Sequence, residues 1–152
     1  MNLDGLQPYV LDAHDKYPNV PVDLINSIIV KESKGSWSAV SATGALGVMQ
    51  LTADNYLKGN GENFNPFNPQ KSVMYGTKML SSYLINFGTN QSGINKTLAA
   101  YNQGENHVKR VIKHYGNDWI KHINLDGSRY VDEVNKIRNN KSHLPGYFGE
   151  KR

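Results

Sequence analysis

Apolar residues recur at three- and four-residue steps along most of the chain, the spacing of helices that each bury one face. Leu6, Tyr9, Val10, Ala13 and Tyr17 predict an amphipathic helix over 3–17, with Pro8 in its first turns and Pro18 past its end. Ile25, Ile28 and Ile29 mark a second helix that begins near Pro21, a favoured first position, and carries Asp23 at the positive end of its dipole. Val73, Met74, Met79, Leu80, Tyr83, Leu84 and Phe87 predict the longest helix, over 70–87, ended by Gly88. Ile94, Leu98 and Tyr101 form one row of a helix over 93–102 that Gly104 stops. A helix capped by Asn106 runs through Tyr115, with Val108, Val111 and Ile112 inward and Lys109, Arg110 and Lys113 outward. Trp119, Ile120 and Ile123 indicate a short turn. Tyr130, Val134 and Ile137 share a face of a last helix over 128–138. The tail from Asn139, with Leu144, Tyr147 and Phe148, has no periodicity.

One residue breaks the pattern. Glu32 lies seven residues after Ile25, four after Ile28 and three after Ile29, so it continues an apolar stripe. A carboxyl against apolar surface loses hydration of its charged form, and its pKa rises. A proton held near neutral pH is what a general acid needs. On spacing alone a second reading stays open, in which Glu32 only ends the helix and turns to water. The segment after it carries Gly35, Gly44 and Gly47 among Ser and Thr residues, which predicts loop or short strand. Val48, Met49 and Leu51 form an apolar tether around Gln50, whose amide either reaches a sugar hydroxyl or amide or faces water. Thr52 is placed to cap a short helix through Lys58. The stretch 59–69 is too rich in Gly, Asn and Pro to be helical. Its Phe64 and Phe67 either stack on sugar faces or pin the loop to the core.

Composition narrows the classes. The 152 residues fit one domain with a usable core, and the net charge of +4 favours encounter with polyanions without choosing among wall polymers, nucleic acid and anionic membranes. There is no cysteine, so packing alone holds the fold. The N-terminus has neither the basic start nor the apolar centre of a signal peptide, and no run of about 20 apolar residues is present. His14, His107, His114, His122 and His143 are scattered, and Asp126-Gly127 lacks the alternating oxygen ligands of a calcium loop, so no metal or other cofactor is expected. The basic helix at 106–115 reads as a solvated face before a nucleic-acid surface. Tyr101 and Tyr130 both point inward, and a buried phenol needs a partner. The two are placed to hold and orient the Glu32 carboxyl.

Three segments carry a resemblance. Glu32-Ser33, the run from Ser41 to Leu51 (Ser-Ala-Thr-Gly-Ala-Leu-Gly-Val-Met-Gln-Leu), and Ala-Ala-Tyr-Asn-Gln-Gly at 99–104 resemble, in order and spacing, the motifs of the soluble-type lytic transglycosylases, whose catalytic domain is related to goose-type lysozyme. The family's closing Glu-Thr-Arg-x-Tyr-Val stands here as Asp126-Gly127-Ser128-Arg129-Tyr130-Val131, departing at Asp126 and Gly127. The match spans about residues 20–137. It implies a mostly helical (α+β) lysozyme-like fold in a single domain. It also implies Glu32 as the acid, with Tyr130 contacting it and Asn102 beside the reacting sugar. Ser33, Ser41, Gly47, Met49, Gln50, Tyr101, Asn102 and Asp126 are the positions expected to line the substrate.

The resemblance further implies a monomer that acts on peptidoglycan glycan strands, without nucleic acid or membrane insertion. It would cleave the β-1,4 bond from N-acetylmuramic acid to N-acetylglucosamine and leave a 1,6-anhydro end. A wall enzyme without an export signal would be released by a holin, carried in a phage particle or cut from a longer protein. Other readings stand beside this one: a hydrolytic muramidase using Asp54, Glu62 or Asp126 with water, a non-catalytic wall-binding domain, and a helical nucleic-acid binder.

Overall fold

The computed structural model describes residues 3–57, 63–140 and 144. The order of helices is α1 (Gln7–Lys16), α2 (Val22–Ser33), α3 (Ala53–Tyr56), α4 (Pro69–Phe87), α5 (Gln91–Gln103), α6 (Glu105–Tyr115), α7 (Trp119–His122) and α8 (Leu125–Asn139), with 3-10 turns before α1 and α7. Among the described residues the β pairing amounts to two isolated bridges, Val40 with Leu46 and Leu46 with Leu51. Both lie in the glycine-punctuated segment after α2, where positive φ at Lys34, Gly35, Gly44, Gly47 and Gln50 prevents any longer extended run. No described helix is long and apolar enough to cross a membrane.

Local chemistry sets the helix ends. Pro21, extended at φ −62 and ψ 144, opens α2, and Lys34 closes it in the left-handed region at φ 54. Asn68 accepts from the Lys71 amide at 3.2 Å to cap α4, whose first residue is Pro69. Asn90 caps α5 through the Gly93 amide at 2.8 Å, so α5 begins two residues before the spacing predicted. Gly93 itself is required there: a Cβ would lie 2.0 Å from the Gly88 carbonyl oxygen. Two expectations are corrected. Asn106 does not cap α6; it lies inside the first turn, because the chain enters the helix directly through Gly104 at φ 92. And α8 starts at Leu125, three residues early, because the Asn124 side chain accepts from the Gly127 amide at 2.8 Å and draws Asp126-Gly127-Ser128 into the helix. The short helix after Thr52 ends at Tyr56, and Lys58, its expected last residue, lies outside the described residues, as does Glu62. Of the tail, only Leu144 is described beyond Asn140, and it is buried.

One core joins these elements. Leu24, Ile25, Ile28 and Ile29 of α2 are fully buried with Leu80 and Leu84 of α4, Leu98 of α5 and Val134 of α8. Burying each such side chain contributes about 1.5–3 kcal/mol before entropy is charged against it. Helix α5 touches α4, α6 and α8, while α2 runs against α1 and α8. The α1–α2 contact holds one buried polar pair, in which Asn26 and Gln7 exchange amide hydrogen bonds of 2.9 and 3.1 Å. The α2–α8 contact is tied at both ends by ion pairs: Lys31 with Glu133, and Arg138 with Asp23 at 3.0 Å.

Candidate active site

Glu32 stands in the last turn of α2, where the helix leaves the core. From α8 the Tyr130 hydroxyl, on a ring only 3% exposed, donates to Glu32 Oε2 at 3.1 Å. Burial raises the Glu32 pKa from 4.5 to about 7; the Tyr130 hydrogen bond and the charge of Lys31 pull the other way without cancelling it. Near neutral pH the group is therefore placed both to give and to take a proton. Burial, followed by the Glu32 charge, pushes the Tyr130 phenol well above its usual range, which keeps it a donor.

The loop from Lys34 to Leu51 forms the wall beside the acid, and backbone bonds shape most of it. Leu46 and Leu51 exchange two hydrogen bonds of 2.9 Å, and the Gly47 amide donates to the Ala39 carbonyl at 2.9 Å. Ser33 and Ser41 brace this wall: Ser33 Oγ accepts from the Gly35 amide at 3.1 Å, and Ser41 Oγ accepts from the Ala45 amide at 2.9 Å. Gly47 passes so close to α4's approach that a Cβ would sit 2.1 Å from the Pro66 carbonyl oxygen, at a φ of +81 that also favours glycine. Met49 is fully buried, its amide donating to Ser72 Oγ at 3.1 Å, with room for its side chain only because residue 76 is glycine.

The sequence-predicted residues fall into three groups. Glu32 and Tyr130 meet directly. Tyr101, expected to join them, instead donates to the Met49 carbonyl at 2.6 Å and so fastens the loop to α5. Burial raises its phenol's pKa well above the usual range, and the neighbouring Glu32 charge adds to this, so the ring still belongs to the acid's surroundings. Gln50, at φ 53, turns its Nε2 into the loop, onto the carbonyls of Ala39 at 3.1 Å and Gly47 at 2.9 Å. Its Oε1 makes no hydrogen bond among the described residues. Asn102 is exposed beside it, its Oδ1 accepting from Gln103. Gln103 in turn accepts from Asn124, the cap of α8. Asp126 is exposed in the first turn of α8 and lines no described pocket with these residues.

A pocket of about 230 Å³ lies in the cleft, with Gln50, Thr52 and Asp54 on one side and Tyr83, Tyr101 and Asn102 on the other. Glu32 does not line it, but stands near enough to bias Tyr101. The apolar spacing placed Tyr83 in a core stripe. Its ring is half-buried, and its phenol is pushed up to about 12, first by burial and then by Glu105 and Tyr75. The signal available was a hydroxyl within a stripe of Met and Leu. The two loop phenylalanines divide: Phe64 packs on the core with its ring 5.4 Å from Tyr75, whereas Phe67 is exposed. Among the described residues no group of three or more His, Asp or Glu side chains is placed to hold a metal ion.

Comparison with known proteins bears on the fold and the family. The structure is similar to that of an inactive mutant of the lytic transglycosylase Slt from Pseudomonas aeruginosa, with a TM-score of 0.71 and 22% identity, over 87% of this chain and 23% of that one. The chain thus spans about a quarter of that protein's length, and the likeness is one of fold. The family described as the transglycosylase SLT domain matches residues 9–124, from α1 to the cap of α8. That match takes in the Glu32 helix, the glycine loop and the Tyr101 helix, and the chain belongs to the transglycosylase SLT domain family.

Proposed function

We propose that the protein is a peptidoglycan lytic transglycosylase in which Glu32 is the single acid and base. The observation that carries this reading is a carboxyl with a pKa of about 7, buried beside a phenol that donates to it, in a chain of this family. Protonated Glu32 gives its proton to the glycosidic oxygen between N-acetylmuramic acid and N-acetylglucosamine, and the bond from C1 to that oxygen breaks. The resulting carboxylate takes the proton of the muramic C6 hydroxyl as that oxygen bonds to C1, closing a 1,6-anhydro ring. Glu32 ends protonated, ready for another cycle. Tyr130 stabilises the carboxylate between the two transfers and fixes its angle. An internal hydroxyl replaces water and gains from proximity, which removes the need for the second carboxylate of ordinary glycosidases. Gln50 Oε1, Asn102 and Tyr83 face the glycan from the pocket, and Ser33, Ser41, Gly47, Met49 and Tyr101 hold the wall in place. Asp126, exposed on α8, acts at most on the rim.

Mass spectrometry of digested sacculi tests this directly. Muropeptides ending in 1,6-anhydromuramic acid are expected. Reducing ends alone would overturn the mechanism in favour of hydrolysis, a second reading that one observation favours: Asp54 places another carboxylate in the cleft pocket.

A further inference from the structure

Helices α4, α5 and α6 enclose a second recess, about 350 Å³, lined by Asn86, Phe87, Lys96, Lys109, Ile112 and Lys113. Half of its lining residues carry an ammonium group. Lys109 lies 3.4 Å from Glu105, whose Oε2 also accepts from Asn86 Nδ2. Lys96 and Lys113 form no ion pair among the described residues. With Lys109 offset by Glu105, Lys96 and Lys113 leave two uncompensated like charges around one concavity, and an anion entering it relieves their repulsion. The lining is not wholly polar: Phe87 and Ile112 are half-buried against the core and offer apolar surface to the same space. The ligand that matches both features carries a carboxylate next to a short aliphatic group. A free inorganic anion leaves the apolar side unused, and a nucleic-acid backbone brings no aliphatic groups to it.

The recess is also a neighbour of the cleft. On α4, Tyr83 lines the cleft pocket, and Asn86 and Phe87, three and four residues on, line the recess. On α5, Ala100 and Tyr101 line the pocket, and Lys96, four residues before Ala100, lines the recess. One helical turn is about 5.4 Å, so the two cavities are within roughly two turns of each other. Glu105 stands between them: its charge reaches Tyr83 of the pocket, and its oxygen holds Asn86 and Lys109 of the recess.

We propose that this recess is an anion subsite that binds a carboxylate of the peptide borne by the glycan strand in the cleft. The inference rests on the proposed glycan substrate. The site would give the enzyme a preference for strands that keep their peptides and would set the strand's direction along the cleft.

The test uses the full chain and the double variant Lys96→Gln/Lys113→Gln, neither position being part of the acid–base pair or the pocket. Steady-state rates are measured on peptide-bearing and peptide-stripped glycan strands. Separately, NMR follows titration with a free N-acetyl-alanyl-glutamate peptide. The double variant is expected to raise KM about two- to tenfold on peptide-bearing strands, the range of two partly exposed charge contacts. Its kcat should hold, and both constants should hold on stripped strands. The peptide should shift the amides of Lys96, Ile112 and Lys113 in the wild type but not in the double variant, and its diamide should shift neither. An unchanged KM on peptide-bearing strands overturns the proposal. So does inorganic phosphate or an oligonucleotide shifting those amides as strongly as the peptide at equal concentration, which would mark an unselective polyanion surface. If wild-type enzyme turns over neither kind of strand, it is the glycan reading that fails, while the NMR titration still decides on the carboxylate site.

Discussion

The two sides of the cleft are built by different means. On one side, α2 and α8 bring a carboxyl and a phenol together through side chains, on helices tied by the Lys31–Glu133 and Arg138–Asp23 pairs. On the other side, the 34–51 loop takes its shape from backbone bonds and from side chains that serve the backbone: Ser41, Gln50 and Tyr101 all spend hydrogen bonds on main-chain atoms. On the proposed mechanism the chemistry sits on the helical side, and shape is supplied by the loop. A substitution on the helical side should alter proton transfer with little loss of fold, and one on the loop side should do the reverse.

Glu32→Gln separates the two most sharply. An amide neither gives nor takes the proton, so turnover should fall at least ~10²–10⁴-fold, measured as loss of sacculus turbidity. The variant should also be more stable at neutral pH. The folded pKa of about 7 exceeds the 4.5 of the free side chain, so the wild type is favoured by Glu32 at low pH and loses that advantage as pH rises from 4.5 through 7. At about 1.4 kcal/mol per pKa unit, a rise from 4.5 to about 7 corresponds to roughly 3 kcal/mol at most, and partial exposure reduces it. Thermal melts should therefore show the variant's gain growing between pH 5 and 7.5; a gain that is constant with pH would refute the buried-acid account.

On the loop side, Gly47→Ala meets the Pro66 carbonyl and a disfavoured φ together. A loss of about 2–4 kcal/mol is expected in urea unfolding, with the pH dependence of the remaining activity unchanged. Tyr130→Phe returns to the helical side. It removes one bond to a charged group, worth ~1.5–3 kcal/mol, so kcat should drop about ten- to a hundredfold with little change in melting temperature. Because that bond lowers the Glu32 pKa, the alkaline limb of the pH–rate profile, near pH 7, should move upward. Tyr101→Phe has the smallest effect. It frees the Met49 carbonyl and should cost about 0.5–1.5 kcal/mol of stability, raise KM, and leave the alkaline limb nearly where it was. An equal displacement of that limb in both variants would abolish the distinction between the two sides.

The helical side was legible in sequence because burial writes itself into spacing. The run Ile25, Ile28, Ile29, Glu32 announces both a helix and a carboxyl out of place, and Tyr130 follows from the row with Val134. The loop side was not, because its information lies in main-chain conformation. Nothing in the residue type of Gln50 says that φ is 53 and that its amide turns back to Ala39 and Gly47. Tyr101 was legible as inward, but its acceptor is a carbonyl, which every residue offers, and so could not be named. The start of α8 was missed for a related reason: its apolar row begins only at Tyr130, whereas the helix opens where the Asn124 side chain accepts from the Gly127 amide.

The bond from Tyr130 to Glu32 spans 98 residues of chain, and the ties from α8 back to α2 span 102 and 115. Domains emerge from the ribosome N-terminal end first, and contacts so distant in sequence close late because the loop entropy must be overcome first. Helix α2 is thus synthesised before α8, and Glu32 lacks its phenol until α8 docks. A growing or truncated chain carries the Glu32 carboxyl without the phenol that bonds to it. On the proposed mechanism, this order of assembly is a timing device, in which the capacity to cut arrives only when α8 docks.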